Sequence, residues 1–234
     1  MSRIEGQVAV VTGAGRGIGR AIAVELGRIG ARVALAARSV SELEETARRI
    51  GDASVIRTDV RRREDVHALL DQTETTLGPI DILVNAAGVG IFGKVADFKD
   101  DDYEEILETN LRSIFWTCRR VLPSMIRRRT GHIINIASIA GKVGSATRAV
   151  YCASKFGVVG FTQSLAEEVR EYGVRATVIC PGSTNTSFSG DYKQDKSRER
   201  MLSPSDIAHA VAMIVTQAPN SFISELVIRP TQKP

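Results

Sequence analysis

Short, nearly continuous apolar runs alternate along the chain with longer stretches in which apolar residues recur every three or four positions. The first run, 7–12 (Gln-Val-Ala-Val-Val-Thr), is rich in β-branched residues and carries no charge, as a strand covered on both faces requires. Further strands are expected at 31–37, 53–57, 80–84, 132–137, 174–179 and 226–228. Helical spacing occupies 20–29, a segment after Ser39 or Ser41 whose hydroxyls are candidate caps, 63–77, 101–128, a run from Tyr151 to about Gly173, and 205–216. Asn110 falls inside the longest of these helices, where its amide competes for backbone hydrogen bonds, so a kink or a functional side chain is expected there. Residues 183–203 are polar and aperiodic and read as a mobile lid over a site. Strand and helix alternate without a short repeat, which predicts an α/β protein. The expected architecture is one domain over 1–234, a doubly wound, mostly parallel seven-stranded sheet with helices on both faces. Such sheets bind ligands at the carboxyl ends of their strands.

Composition narrows the functional classes. Charged residues are 25% and apolar residues 43% of the 234, ordinary for a folded domain and unlike a disordered chain. No apolar run approaches the ~20 residues of a membrane helix, and the first residues lead into a strand without a signal-peptide pattern. A cytoplasmic protein without a membrane partner is expected. The net charge is +4, with clusters at Arg61-Arg62-Arg63 and Arg127-Arg128-Arg129. Each cluster sits at a predicted helix boundary with acidic residues on the same helix, so solvated helix ends are favoured over a nucleic-acid surface. Cys118, Cys152 and Cys180 have no pairing for zinc or a disulfide framework, and His67, His132 and His209 have no ligand spacing, so no metal is expected. Cys152 reads as a packed residue in preference to a reactive thiol.

The candidate chemistry lies where strands end. Gly13-Ala-Gly-Arg-Gly-Ile-Gly19 joins the first strand to the first helix. Glycines let backbone approach a ligand, and free amides at a helix start cradle a pyrophosphate. The G-x-G-x-x-G pattern counted from Gly13 fails at Ile18, which points to Gly13, Gly17 and Gly19 instead. Such a turn is also compatible with a plain tight connection. The second strand ends in Ala37-Arg38-Ser39 with no carboxylate to accept from a ribose 2′-hydroxyl. Arg38, with Arg16 closing from the glycine turn, suits a 2′-phosphate and hence NADP(H), unless Arg38 simply faces solvent. Ser138 follows a predicted strand. Tyr151 and Lys155 share a helix face, where the ammonium is expected to lower the tyrosine pKa toward working pH and fit it for acid–base work. A Tyr–Lys pair of this spacing also arises by chance on many helices.

Taken together, Thr12-Gly13-x-x-x-Gly17-Ile18-Gly19, Asn85-Ala86-Ala87-Gly88, Asn110, Ser138, Tyr151-x-x-x-Lys155 and Pro181-Gly182 with Thr186 resemble the short-chain dehydrogenase/reductase family over nearly the whole chain. The resemblance implies a Rossmann-like fold and hydride transfer between a nicotinamide and a carbonyl or alcohol carbon. It makes Tyr151 the proton donor, Lys155 its partner and holder of the nicotinamide ribose, Ser138 the donor to the substrate oxygen, and Asn110 the holder of a relay water. It assigns Gly13, Gly15, Arg16, Gly17, Ile18 and Gly19 to the pyrophosphate turn, and Arg38 and Ser39 to the 2′-phosphate end. It assigns Asp59 and Val60 to the adenine, Asn85, Ala86 and Gly88 to the adenosine-ribose side, and Pro181, Gly182, Thr184 and Thr186 to the carboxamide. Thr184 stands where the family often has valine or isoleucine.

The compact lid, Ser203-Pro204-Ser205-Asp206 and a terminus without Gly-Gly depart from the family's oxoacyl-carrier-protein reductases. They are more similar to members acting on small hydroxy acids, ketones and aldehydes. An NADPH-dependent small-carbonyl reductase is therefore expected. A 3-oxoacyl-[acyl-carrier-protein] reductase is the alternative, and a non-enzymatic NADP(H)-binding sensor a remote one, since a sensor has no need of Asn110, Ser138, Tyr151 and Lys155. The resemblance also implies a homodimer or homotetramer packed through helices 101–128 and 151–172, with Phe115 and Trp116 suited to interface or core.

Overall fold

A computed structural model describes residues 4–189 and 198–232. Seven strands run β1 (Val8–Thr12), β2 (Arg32–Ala37), β3 (Ala53–Arg57), β4 (Ile80–Asn85), β5 (Gly131–Ile136), β6 (Val174–Pro181) and β7 (Glu225–Ile228). They form one sheet in the order β3-β2-β1-β4-β5-β6-β7, and every neighbouring pair is parallel. The sheet expected to be mostly parallel is thus wholly so. The chain leaves β1 toward one edge and returns to pair β4 on its other side. That reversal opens a crevice at the carboxyl ends of β1 and β4, the usual ligand position in such sheets.

Alternation along the strands sorts the core into two layers. Val8 and Val10 of β1 pack with Leu69 and Leu70 of α3 (Arg63–Thr76), Ile114 and Val121 of α5 (Ser113–Arg128) and Val158 and Leu165 of α6 (Ala149–Val169). Ala9 and Val11 face α1 (Gly17–Arg28), α2 (Val40–Ile50) and α7 (Pro204–Val215) through Ile22, Leu26, Leu43, Ile207 and Val211. Helices therefore cover both faces. Among the described residues no helix is long and apolar enough to cross a membrane.

The long helix expected over 101–128 is divided. α4 (Asp100–Leu107) gives way to a π-helical turn over Glu108–Arg112 before α5 begins, and Asn110 lies in that turn, fully buried. One wide turn lets the asparagine face inward without ending the helix. The arginine clusters form ion pairs at helix ends: Arg61 with Asp59 at 2.7 Å, Arg62 with Asp65 at 3.6 Å, and Arg128 with Asp81 at 2.7 Å. Of the expected lid, residues 190–197 lie outside the described residues. Its described ends are held by a bridge between Thr184 and Leu202 and by the capping box of Ser203 and Asp206 on α7.

His132 is buried in β5 with Nε2 2.8 Å from the Thr177 hydroxyl. Burial, with the Arg175 guanidinium adding to it, holds the imidazole pKa down to about 3 from its ordinary 6.5. The neutral ring contributes stability that is complete above pH 6.5 and is lost as pH falls toward 3, where the unfolded chain binds the extra proton. His132→Gln is therefore expected to lose less stability than the parent across that interval, by roughly 1–3 kcal/mol. Urea midpoints at a series of pH values measure this, and parallel profiles would exclude His132 as an acid trigger.

Candidate active site

The nucleotide end is built from β1 and its following turn. Thr12 Oγ1 accepts hydrogen bonds from the amides of Ala86 and Ala87 at 3.2 and 3.3 Å, which ties the end of β1 to the segment after β4. Gly13 adopts φ +69, and a Cβ there would lie 2.8 Å from the Ala87 backbone. A Cβ on Gly19 would overlap the carbonyl of Gly13. These two glycines let three chain segments meet, and α1 opens at Gly17 directly behind them. The start of α1 has no side-chain cap and no acidic residue in its first turn. Its amides are left for an anion, with the positive end of the helix dipole behind them.

At the end of β2, Ser39 caps α2 by accepting from the Glu42 amide at 3.3 Å, while the exposed Arg38 lines the crevice. Arg16 also lines it, 3.9 Å from the Glu42 carboxylate. Glu42 had no role in the sequence reading. Its third position in a serine-capped helix was the available signal, and it reads equally as ordinary capping. Asp59 and Val60 line the same cavity. The Asp59 carboxylate accepts from the Arg61 backbone and guanidinium, and that guanidinium holds its pKa below the usual range.

Asn85 departs from its expected place. Its register partner in the sheet is Asn135, and its Nδ2 donates to Asn135 Oδ1 at 2.8 Å while its Oδ1 accepts from Thr117 at 2.9 Å. The side chain is buried between strands and α5 and does not line the crevice, so Ala86, Ala87, Gly88 and Val89 present that wall.

The reactive end joins β5, α6 and the π turn. Ser138 follows β5 and accepts from the Ala140 amide at 3.1 Å, which orients its hydroxyl at the start of a short 3₁₀ turn. Tyr151 and Lys155 lie one turn apart near the start of α6, both buried. Lys155 Nζ donates to the Ile136 carbonyl at 3.1 Å and stands 5.9 Å from the centre of the Tyr151 ring. Asn110 Oδ1 accepts from the Val89 amide at 2.8 Å, and its Nδ2 donates to the Val89 carbonyl at 2.9 Å and to Ser154 Oγ at 3.1 Å. Ser154 in turn donates to the Tyr151 carbonyl at 2.7 Å. The asparagine amide therefore locks the segment at Val89 to α6.

The electrostatics reverse one expectation. Burial raises the Tyr151 pKa, opposed by the Ser138 hydroxyl bond and by the charge of Arg148, and Lys155 does not figure among the causes. Burial also pushes Lys155 down to about 8. For both groups burial is the dominant influence, raising the tyrosine and lowering the lysine.

Three side chains that the sequence reading left without a role complete the crevice. Phe92 meets the Tyr151 ring edge-on at 5.5 Å between centres, Phe188 tilts against it at 6.0 Å, and the Arg148 guanidinium lies 4.8 Å from the centre of Phe92. The lone aromatic in the glycine-rich stretch Val89-Gly-Ile-Phe-Gly93 was the available signal for Phe92. Nothing local marks the other two. Apart from Asn85 and Asn110, every residue given a cofactor or catalytic role from the sequence lines one cavity of about 480 Å³, from Arg38 at one end to Tyr151 at the other.

A glycine cradle at the switch point of a parallel sheet, continuous with a Ser–Tyr–Lys set whose tyrosine and lysine are buried, defines the class of dinucleotide-dependent oxidoreductases. The chain belongs to the short chain dehydrogenase family, whose model matches residues 7–197. It is 36% identical over 232 residues to an uncharacterized oxidoreductase of Staphylococcus aureus strain MRSA252, covering 98% of this chain and 100% of that protein. A second, from Staphylococcus saprophyticus, is 39% identical over 235 residues, with 98% and 100% covered. Among solved structures, a metagenomic short-chain oxidoreductase in complex with NADP superposes with a TM-score of 0.86 at 40% identity, covering 98% and 99% of the two chains. An alcohol dehydrogenase from the archaeon Thermococcus sibiricus, complexed with 5-hydroxy-NADP, superposes with a TM-score of 0.90 at 29% identity, covering 97% and 98%.

Proposed function

We propose that this protein is an NADPH-dependent oxidoreductase moving a hydride between nicotinamide C4 and the carbonyl or secondary-alcohol carbon of a small ketone, aldehyde or 3-hydroxy acid. The observation that carries this reading is the single cavity that joins the glycine cradle and Arg38 to Ser138, Tyr151 and Lys155. The cradle suits NADP(H): uncapped amides at α1 face where a pyrophosphate belongs, and Arg38 and Arg16 replace the acid that would accept from a 2′-hydroxyl. The NADP-bound neighbours support the same choice.

NADPH, when bound, supplies the hydride. The chain's own residues do the rest. Tyr151 protonates the carbonyl oxygen as it becomes an alkoxide, and its raised pKa keeps it in the protonated form this step needs at neutral pH. Ser138 donates to the same oxygen where charge develops. Lys155 holds the nicotinamide ribose, and with Asn110 beside it passes the replacing proton inward from solvent. Asp59 and Val60 receive the adenine, and Pro181, Gly182, Thr184 and Thr186 the carboxamide.

The test is oxidation of NADPH and NADH, followed by absorbance, against an acetoacetyl thioester, a β-keto ester, an aromatic aldehyde and a short 3-oxo acid. Turnover of the free carbonyls supports this reading. Turnover of the thioester alone points to a carrier-protein substrate, and tight coenzyme binding without oxidation points to a sensor. Arg38→Asp is expected to shift the NADPH-to-NADH ratio of kcat/KM by about 10- to 100-fold toward NADH, by exchanging a phosphate partner for a hydroxyl acceptor. An unchanged ratio would remove Arg38 as the determinant.

We place the enzyme in the cytoplasm as a homodimer or homotetramer. Support for a reducing compartment comes from Cys118, Cys152 and Cys180, all free and buried. Support for self-association comes from Phe115 of α5 and Phe156 of α6, 44% and 45% exposed, whereas Trp116 packs on the core. Sedimentation at several protein concentrations reads the assembly state.

A further inference from the structure

Arg148 is the final residue before α6, three positions ahead of Tyr151, and its place is fixed from two sides. Thr147, immediately before it, is held at φ +63, a left-handed conformation that a β-branched residue adopts only under constraint. The Thr147 carbonyl accepts from the Gly93 amide at 2.8 Å, which ties this loop to the segment carrying Phe92. The guanidinium then rests over the Phe92 ring, and Phe92 in turn meets the edge of Tyr151. A guanidinium stacked in this way keeps its in-plane N–H fork available, and that fork matches a carboxylate with two parallel hydrogen bonds.

Nothing among the described residues is placed to use the fork. Among the described residues Arg148 makes no ion pair and no side-chain hydrogen bond, whereas Arg20, Arg61, Arg120, Arg128 and Arg129 are matched with carboxylates or carbonyls. The carboxylates that line the cavity, Glu42 and Asp59, belong to the nucleotide end. Around Tyr151 the lining is Phe92, Phe188, Val89 and Ile139 with the hydroxyl of Ser138, so Arg148 and the Lys155 ammonium are the cations of this end. An unpaired fork over an aromatic wall, next to the proton donor, is a receptor for one planar anion.

We propose that Arg148 is a specificity-determining residue that binds a carboxylate on the substrate, making an oxo carboxylic acid the preferred substrate over a neutral ketone or aldehyde. This rests on the reductase reading above. In the step itself the carbonyl carbon gains hydride from NADPH, its oxygen gains the Tyr151 proton, and a hydroxy acid and NADP⁺ leave. The carboxylate stays on Arg148 throughout and takes no part in bond making.

The experiment compares matched pairs, acetoacetate with methyl acetoacetate and 4-oxopentanoate with methyl 4-oxopentanoate, as kcat/KM ratios with NADPH. The parent is expected to favour the acid of at least one pair by about 10- to 100-fold, the range of a charge-assisted hydrogen-bonded pair. Arg148→Met, which keeps an apolar stem over Phe92, is expected to collapse that ratio toward one, chiefly through KM of the acid. Arg148→Lys, which keeps the charge without the fork, is expected to fall between. A parent that turns over esters as well as acids, or a preference that survives Arg148→Met, overturns the Arg148 assignment and leaves the reductase reading standing. No NADPH oxidation with any acid, ester or aldehyde overturns both.

Discussion

Tyr151→Phe is expected to lower the rate of carbonyl reduction by about 10²- to 10⁴-fold while NADPH still binds. The change removes one hydroxyl and keeps the ring, so the contacts with Phe92 and Phe188 that shape the cavity survive. What disappears is the proton that the alkoxide needs. Steady-state reduction and coenzyme fluorescence titration together read the two halves of this statement, and a variant that retains turnover would remove Tyr151 as the acid. The sign of the pH dependence follows from burial. Because burial raises the Tyr151 pKa, the phenol keeps its proton at neutral pH, so reduction is expected to hold level there and fall as the group ionises under alkaline conditions. Alcohol oxidation requires the phenolate and is expected to rise over the same alkaline range.

Lys155→Met is expected to impair activity strongly and stabilise the fold at the same time. Lys155 is charged in the folded protein below about 8 and in the unfolded chain below its ordinary 10.5. At neutral pH the buried charge weakens folding. That penalty fades as pH rises from about 8 to 10.5, where the unfolded chain holds the additional proton. Without coenzyme the variant is therefore expected to unfold roughly 2–8 °C above the parent at neutral pH, with the gap closing through that alkaline window. In the proposed mechanism the ammonium holds the ribose, so KM for NADPH is expected to rise and reduction to fall. Calorimetry across pH measures the first effect and steady-state kinetics the second. A variant less stable than the parent at neutral pH would mean that the Ile136 hydrogen bond outweighs the cost of burying the charge.

The same residues show how much was legible beforehand. The β-branched run of β1 and the six strands after it could be placed to within a residue or two, since burial on both faces leaves a continuous apolar signature in the chain itself. Arg38 and the glycine turn were legible for a related reason: a coenzyme cradle is assembled from residues close in sequence. Asn85 was misplaced because motif position says nothing about which face of a strand a side chain takes, and parallel register with Asn135 turned it inward. Arg148, Phe92 and Phe188 could not be found together, being brought to one wall by loops far apart in the chain.

The succession of strands and helices along the chain and the glycine turn were determined by the sequence alone, because each is written in a local period or a short spacing. Tertiary structure alone decided the charge states and the walls. Whether Tyr151 is pulled down or pushed up depends on what covers it. That the Asn110 amide locks a wall depends on a single π turn and on the backbone of Val89 opposite it. Desolvation and hydrogen-bond partnership are properties of the space around a group, and that space exists only once distant segments have packed.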